Sequence, residues 1–284
     1  MKNKVRATMH GAISIVNAIA TGNGSALGIS LKVTAEVALE NGRGIKFQTK
    51  KEDNLIGNIV NNIIPKEIIA KNSISVNIDS EIPIGFGLKS SSAISNAVAL
   101  ACNKLIKDEI YDYAVLDSAV RASIDANISI TGAYDDSTAC YFGGFVVTDN
   151  HAYKLIRREK APDDLYAIIF LPQGMSRGNI CKLSMMSDLF KDAFNLAEAG
   201  KYWKAMKLNG VLFCTALGIK YEPILAALEK GALSASISGN GPSIAAVAYE
   251  DGIEDIKSVF AEFNGKILVS KVNNQKASVE KIIG

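Results

Sequence analysis

The chain has 284 residues, of which 48% are hydrophobic and 21% are charged, and its formal net charge is +2. This is the composition of a globular protein with enough length for one large domain or two smaller ones. The small net charge gives no electrostatic case for a nucleic acid or an anionic membrane as a partner. No apolar run is long enough to suggest a segment that crosses a bilayer.

The four cysteines are far apart in the sequence, form no CxxC pair and are accompanied by only two histidines, which argues against a zinc site. We therefore expect four buried free thiols in a cytoplasmic protein. The apolar stretch near the N-terminus is too short for a signal peptide.

The first half of the chain alternates between strand and helix patterns. Taken in order, the pattern predicts strands at 3–8, 28–38, 44–49 and 73–79, helices at 53–62, 91–106 and 111–127, and a strand pair or a strand after a turn at 140–148. The helix at 91–106 carries its apolar residues on one face.

The second half begins with the buried-type strand LYAIIFLP and then becomes mainly helical. The pattern predicts helices at 183–199, 201–217, 221–230 and 254–263, and strands at 233–238, 243–249 and 266–272. This order is that of a β-α-β-β-α-β unit with an extra helix. The whole chain is therefore predicted to be α+β, with a domain boundary between residues 148 and 164.

The stretch EIPIGFGLKSSSA runs from a strand through two glycines and a serine cluster into a helix. Gly85 and Gly87 allow a positive φ angle, and the serines offer hydroxyl groups at a helix N-terminus that favours an anion. A tight turn followed by an ordinary helix cap explains the same residues. The spacing is not that of a Walker A loop, so it leaves both explanations open.

Two further segments bear on this choice. SISGNGPSIAAV places a glycine turn between two strands, where it forms either a plain hairpin or a second set of backbone donors for an anion. TGAYDDSTACYFGGF contains the adjacent Asp135 and Asp136, which are either a solvated loop pair or the acidic group that phosphoryl transfer to an alcohol requires.

Together the three segments resemble the GHMP kinase superfamily. The first matches its ATP loop, P-x-x-x-G-L-x-S-S-x-A, with Pro83, Ile84, Gly85, Phe86, Gly87, Leu88, Lys89, Ser90, Ser91, Ser92 and Ala93. The second matches its C-terminal glycine motif, which supports the ATP loop, with Ile237, Ser238, Gly239, Asn240, Gly241, Pro242 and Ser243. The resemblance implies a two-domain α+β fold: an N-terminal mixed βα domain with the ATP loop (1–152) and a C-terminal ferredoxin-like domain (153–284).

Within the superfamily, the segments NAIATG-x-GSA-x-G and TGAYDD are most similar to the archaeal-type shikimate kinases. This resemblance implies that ATP and shikimate are the small-molecule partners and that shikimate 3-phosphate is the product, in aromatic amino acid biosynthesis. The alternatives are a homoserine or mevalonate kinase of the same superfamily and a non-catalytic nucleotide-binding protein. A homodimer is left open.

The resemblance also implies roles for single residues, with ATP and Mg²⁺ as the cofactors. Ser91 corresponds to the serine that reaches Mg²⁺, and Asp125 lies eleven residues before Asp136, the spacing of the acidic Mg²⁺ ligand in mevalonate kinases. That spacing favours Asp136 as the base, whereas spacing like that of homoserine kinases favours Asp135.

One departure concerns a lysine that many members carry after a glycine in the first strand, where this chain has Gly11 followed by Ala12. Lys89 is our candidate replacement, although a solvent-exposed lysine fits the sequence equally well. For the acceptor's carboxylate we expect Arg177, in the loop PQGMSRGN. Three polar residues either bind substrate hydroxyl or phosphate groups or satisfy the loop backbone: Asn17, Thr21 and Ser25.

Overall fold

The computed structural model describes residues 4–47, 53–126, 132–174 and 178–282. Its strands are β1 (Lys4–Val16), β2 (Asn23–Asn41), β3 (Gly44–Phe47), β4 (Asn72–Ser80), β5 (Phe145–Asp149), β6 (Lys154–Glu159), β7 (Leu165–Pro172), β8 (Ser234–Ile237), β9 (Ile244–Tyr249), β10 (Gly265–Lys271) and β11 (Ser278–Ile282). Its helices are α1 (Asp53–Ile63), α2 (Lys66–Lys71), α3 (Ser90–Ile106), α4 (Asp112–Asp125), α5 (Tyr134–Phe142), α6 (Ser187–Glu198), α7 (Tyr202–Leu217), α8 (Glu222–Glu229) and α9 (Ile253–Phe260). Two short 3-10 helices cover Ile180–Met186 and Glu250–Gly252.

The first sheet is built around the long strand β2, which pairs with β1 along most of its length. The N-terminal part of β2 also pairs with β5, and its C-terminal part pairs with β4. The sheet runs in the order β11-β1-β2-β4-β3, while β5 and β6 extend it from β2. Val33, Ala35 and Val37 alternate inward along β2, which is the period expected for a strand that covers a core.

The second sheet has the order β10-β7-β9-β8, and all its pairs are antiparallel. Helices α6, α7 and α8 lie between β7 and β8 in the chain, and α9 lies between β9 and β10. This is the β-α-β-β-α-β arrangement with additional helices, so the predicted α+β fold with a ferredoxin-like second part is confirmed.

The predicted domain division at 152/153 stays a prediction. The two sheets do not divide the chain at that point, because β6 pairs with β5 and β11 pairs with β1. The last described strand therefore returns to the first sheet. Both strands were missed in the sequence, since their residues are largely exposed or only partly buried and give no apolar alternation.

Helix α3 begins directly after the glycine and serine stretch and lies at the centre of the first half. It packs against β1 and β2 and beside α1, α4 and α5. Ile94, Ala97, Val98 and Ala101 are buried in the main hydrophobic core, as the apolar face in the sequence predicts. The packing of this helix on the sheet fixes where its N-terminus points.

The prediction for 140–148 was wrong in its first residues. Cys140, Tyr141 and Phe142 complete helix α5, and only Phe145–Asp149 forms a strand. These residues favour strands when considered alone, but they are buried as the last turn of a helix that packs against β1, β2 and α3. The short helix α2 was also missed.

All four cysteines are free, as expected, but Cys181 is exposed, so the prediction that all four are buried was wrong. It lies in the 3-10 helix Ile180–Met186, of which Leu183 is the one buried residue. In the described part of the chain, none of the helices has the length and apolar character needed to cross a membrane.

Candidate active site

A cleft of about 490 Å³ lies where the N-termini of α3 and α5 meet the turn between β8 and β9. Its lining is Ser14, Asn17, Ala18, Ile19, Ile84, Gly85, Gly87, Lys89, Ser90, Ser91, Ser92, Ser123, Gly132, Ala133, Asp135, Asp136, Ile180, Gly239 and Asn240. The three segments singled out in the sequence therefore meet in one place. Because these segments are distant in the sequence, it is the fold that brings them together.

The N-terminus of α3 forms one wall of the cleft. Lys89 precedes it with a φ angle of 66°, a left-handed conformation that is uncommon outside glycine. The first turn carries no acidic residue and receives no side-chain cap. The serines at 90–92 line the cleft, and the N-terminus of a helix favours the binding of an anion.

The β8–β9 turn packs backbone to backbone against the loop before α3. A Cβ atom on Gly87, whose φ angle is 77°, would collide with the carbonyl oxygen of Ser238. The hydroxyl of Ser238 donates to the Gly87 carbonyl at 2.9 Å, and that of Ser243 donates to the Phe86 carbonyl at 2.5 Å. The glycine turn thus holds the backbone of the loop in place. This close contact requires a residue without a side chain at position 87.

Lys89 reaches from the start of α3 to the acidic residues of α5. Its Nζ lies 2.7 Å from Asp136 Oδ1 and donates to Ser14 Oγ at 2.8 Å. The lysine side chain is 4% exposed, and that of Asp136 is 20% exposed. Burial lowers the pKa of Lys89, but the carboxylates of Asp136 and Asp135 outweigh it, so the pKa is raised overall and the lysine is charged.

Asp135 has different surroundings from its neighbour. Its Oδ1 accepts from Asn150 Nδ2 at 2.8 Å, and its backbone N–H donates to Asn150 Oδ1 at 3.1 Å. Gly24 lies against its carboxylate, where any side chain at position 24 would collide. Burial, followed by the negative charge of Asp136, raises the pKa of Asp135 to about 7. This carboxyl group is therefore held in place and carries a proton more readily than an exposed aspartate.

Asn17 ties the end of β1 to the second half of the chain. Its Nδ2 donates to the Gly239 carbonyl at 2.7 Å, its Oδ1 accepts from Ile19 N at 2.8 Å, and its backbone N–H donates to Asn209 Oδ1 at 2.9 Å. Asn209, on α7, is fully buried and also donates to Ser236 Oγ at 2.9 Å. These bonds hold the glycine turn against β1.

Other predicted substrate-binding residues are placed away from the cleft lining. The hydroxyl of Thr21 bonds to the backbone of Asn23, and that of Ser25 donates to the Val146 carbonyl. Both satisfy loop or strand backbone, which was the alternative left open by the sequence. Arg177 lies outside the described residues.

The two predicted magnesium ligands have different positions. Ser91 lines the cleft. Asp125 is an exposed residue at the end of α4, is not among the residues that line the cleft, and accepts a hydrogen bond from Asn62 Nδ2 at 3.4 Å. No cluster of three or more His, Cys, Asp or Glu side chains suited to a metal ion was found in the described ranges.

Three residues of the site were not found in the sequence: Ser14, Asn150 and Asn209. Ser14 is the one with a usable signal, since it is an isolated polar residue inside the apolar strand segment GAISIV and is almost fully buried. A buried hydroxyl group in such a strand needs a partner, which points to a site. Asn150 belongs to a turn and Asn209 to a helix, and their partners are distant in sequence.

Comparison with known proteins identifies relatives at two levels. The family described as GHMP kinases N terminal domain matches residues 54–144. A shikimate kinase from Methanobrevibacter smithii is 35% identical and covers 96% of this chain and 98% of its own length. One from Methanothrix thermoacetophila is 37% identical and covers 95% of this chain and 94% of its own length.

Solved structures share the fold at lower identity. A homoserine kinase from Cytophaga hutchinsonii aligns with a TM-score of 0.75 and 20% identity over 98% of this chain and 97% of its own. The mevalonate kinase from Methanococcus jannaschii aligns with a TM-score of 0.75 and 14% identity over 96% and 98% of the two chains. These similarities establish the architecture alone. Evidence on the acceptor substrate comes from the relatives with higher sequence identity.

Proposed function

We propose that this chain, which belongs to the GHMP kinase superfamily and within it to the family of archaeal-type shikimate kinases, transfers the γ-phosphoryl group of ATP to the 3-hydroxyl of shikimate. The chain is an ATP-dependent small-molecule kinase. The observation that carries the proposed chemistry is the buried Lys89–Asp136 pair beside an uncapped helix N-terminus. The full-length similarity to shikimate kinases supports the choice of acceptor.

The ATP phosphates, we propose, lie against the N-terminus of α3. The loop residues 83–93 and the turn residues 239–241 line or support that wall, and the helix dipole favours a negative charge there. Ser238 and Ser243 bond to the carbonyls of Gly87 and Phe86, so the loop is shaped before ATP arrives. Preorganised donors of this kind lose little free energy in rearranging during the reaction.

Asp136 is our choice for the base. It is the more exposed carboxylate of the pair and lies in the cleft, so it can accept the proton of the shikimate hydroxyl as that oxygen bonds to the γ-phosphorus and the bond to the ADP oxygen breaks. Lys89 keeps this carboxylate in place and brings positive charge to the transferring phosphoryl group. It thus takes the role that other members give to a lysine of the first strand.

Asp135 is the second candidate, and we give it a supporting role. Asn150 binds both its carboxylate and its backbone, and Gly24 packs closely against the same carboxylate. Its negative charge, when present, raises the pKa of Lys89 and so keeps the lysine protonated. Its pKa of about 7 lies in a range that suits a proton acceptor, which is why a direct comparison of the two aspartates is needed.

The oxygen atoms facing the cleft suit Mg²⁺, which is bound by carboxylates, hydroxyls, water and nucleotide phosphates. We propose Ser91, which lines the cleft, as a protein ligand, whereas Asp125 lies outside the cleft lining and stays a prediction. When bound, Mg²⁺ neutralises charge on the phosphates and polarises the γ-phosphoryl group.

For shikimate we propose Asn17 and Arg177 as contacts, whereas Thr21 and Ser25 stay predictions because their hydroxyls bond to backbone atoms. Asn17 has the strongest support because it lines the cleft close to the glycine turn. A cytoplasmic location is supported by the four free cysteines, and a homodimer stays a prediction.

The test is a coupled assay of ADP release with shikimate, homoserine and mevalonate as separate acceptors. We expect turnover that depends on shikimate and Mg²⁺, and background rates with the other two. No response to shikimate would overturn the proposed acceptor, and a response to homoserine or mevalonate would name the replacement. No ADP release with any acceptor, together with intact ATP binding, would favour a non-catalytic nucleotide-binding protein.

A further inference from the structure

We propose that Ser14 is a positioning residue that sets the Lys89 ammonium group against Asp136 and joins it to the wall that holds ATP. Ser14 lies on β1 and is 1% exposed. It lies outside the sequence motifs that resemble those of kinases. The inference rests on the proposed kinase function for its kinetic part and on geometry alone for its spectroscopic part.

The hydroxyl of Ser14 lies at a junction of three chain segments. Its Oγ accepts from Lys89 Nζ at 2.8 Å and from the backbone N–H of Gly239 at 3.0 Å. The Ser14 backbone N–H donates to Ser238 Oγ at 3.2 Å, and this hydroxyl in turn donates to the Gly87 carbonyl. One serine therefore contacts the lysine, the glycine turn and, through Ser238, the loop before α3.

This arrangement restricts where the lysine can go. An ammonium group is a compact charge on a flexible four-carbon chain, so a single carboxylate partner leaves it several orientations. With Asp136 on one side and Ser14 on the other, the Nζ has an ion-pair partner and a hydrogen-bond acceptor in a buried place. The register of β1 with β2 shifts between Ser14 and Val16, a local irregularity of the kind that redirects a side chain next to a site.

The same contacts predict which kinetic constant depends on Ser14. Loss of the hydroxyl removes one acceptor from Lys89 while the Asp136 partner remains, so the lysine stays but is less well oriented. The substitution should therefore raise the free energy of the transition state and lower kcat, with smaller changes in KM for ATP and shikimate.

The experiment compares Ser14→Ala, Ser14→Thr and the control Ser234→Ala. Ser234 is also fully buried, and its hydroxyl donates to the Trp203 carbonyl at 3.0 Å, outside the cleft. We expect Ser14→Ala to lower kcat by about 10- to 50-fold with both KM values within about threefold. Ser14→Thr should recover most of the loss because it keeps the hydroxyl, and Ser234→Ala should keep the wild-type kcat.

A second readout needs no substrate. In ¹⁵N-lysine-labelled protein the Lys89 Nζ signal is assigned by its disappearance in Lys89→Met. We expect slowly exchanging Nζ protons in the wild type and in Ser14→Thr, and faster exchange in Ser14→Ala. If Ser14→Ala does not fold, Ser14→Cys takes its place, because a thiol is a weak acceptor of nearly the same size.

Three results would overturn the inference: an unchanged kcat and Nζ exchange in Ser14→Ala, no recovery in a folded Ser14→Thr, or an equal loss of kcat in Ser234→Ala. If the wild type shows no turnover with shikimate, the proposed function fails, while the Nζ exchange still decides the role of Ser14. The two failures are therefore distinguishable.

Discussion

Helices α3 and α5 begin in the same way, yet their N-termini carry opposite chemistry. Each follows a residue other than glycine in the left-handed conformation, Lys89 with φ 66° and Ala133 with φ 47°, and neither receives a side-chain cap. The first turn of α3 has serines and no acidic residue, whereas that of α5 has Asp135 and Asp136. Lys89 connects the two, since it starts one helix and pairs with the other.

The comparison shows how one local geometry serves two purposes. An uncapped N-terminus attracts negative charge. At α3 no acidic side chain occupies the first turn, and we propose that a phosphate of ATP binds there. At α5 the chain supplies its own carboxylates inside the cleft, and at Asp135 burial and the charge of Asp136 outweigh any attraction of the N-terminus, since its pKa is raised to about 7. The difference lies in which residues fill the first turn, and the predictions below test that difference.

The largest effect is expected from Asp136→Asn, which removes the proposed base from the start of α5. Turnover should fall by about 10³-fold or more, because asparagine cannot accept the hydroxyl proton. ATP affinity should stay within about threefold, since the α3 wall is intact. Steady-state kinetics and calorimetric ATP titration measure both, with the exposed Asp164→Asn as a control. Wild-type turnover in Asp136→Asn would move the base to Asp135 or remove it from the mechanism.

The next effect concerns the lysine that joins the two helices. Lys89→Met keeps much of the side-chain volume and removes the charge, so kcat should fall by about 10²-fold through the loss of transition-state stabilisation. Lys89→Arg should recover little, because a guanidinium group is larger and planar in a place that is 4% exposed. A variant kcat equal to that of the wild type would make the lysine an ordinary buried ion-pair partner.

Gly87→Ala tests the contact between the α3 loop and the glycine turn. The added methyl group meets the Ser238 carbonyl, and the φ angle of 77° is unfavourable for alanine. We expect a loss of unfolding free energy of about 2–4 kcal/mol and a higher KM for ATP.

The matched control for Gly87→Ala is Gly231→Ala, which has a φ angle of 86° and no atom within 4 Å of the added Cβ. This substitution introduces the backbone strain alone, so we expect the free energy of unfolding to fall by about 1 kcal/mol. Denaturant unfolding separates the two contributions. Equal losses would mean that the contact with Ser238 adds nothing.

The smallest effect is the pH dependence of Asp135→Asn. The pKa of Asp135 is raised to about 7 in the folded protein, so between about pH 4 and 7 the folded state binds more protons than the unfolded state. The stability that the wild type gains from the protonated group is therefore lost as the pH rises through that range. Asparagine does not titrate, so the variant's stability relative to the wild type should increase by roughly 2 kcal/mol from pH 5 to 8. A difference that is flat with pH would contradict the raised pKa.

Much of the fold could be predicted because the relevant signals are local. The strand at 73–79 and the helix at 91–106 are found as Asn72–Ser80 and Ser90–Ile106, where period and burial agree. The strand β11 was not predicted, since it lies largely exposed along β1 and its pairing depends on a distant part of the chain.

The residues of the site likewise include some that could be predicted from the sequence and some that could not. The loop at 83–93 and the paired aspartates stand out as short motifs, because backbone amides, hydroxyls and carboxylates are needed close together. The direction of the Lys89 side chain depends on a left-handed φ angle and on the position of another helix, so its contact with Asp136 required the structure. Ser14 and Asn150 act through partners that are far away in sequence.

We propose that the adjacent Asp135 and Asp136 have different roles because their surroundings differ. The most direct measurement is the ratio of kcat in Asp135→Asn to kcat in Asp136→Asn, at saturating ATP and shikimate and at one pH near 8. We predict a ratio of about 100 or more, because Asn150 can hold asparagine at 135 in place while position 136 loses its proton acceptor. A ratio below one, with both variants folded, would make Asp135 the base and contradict the account.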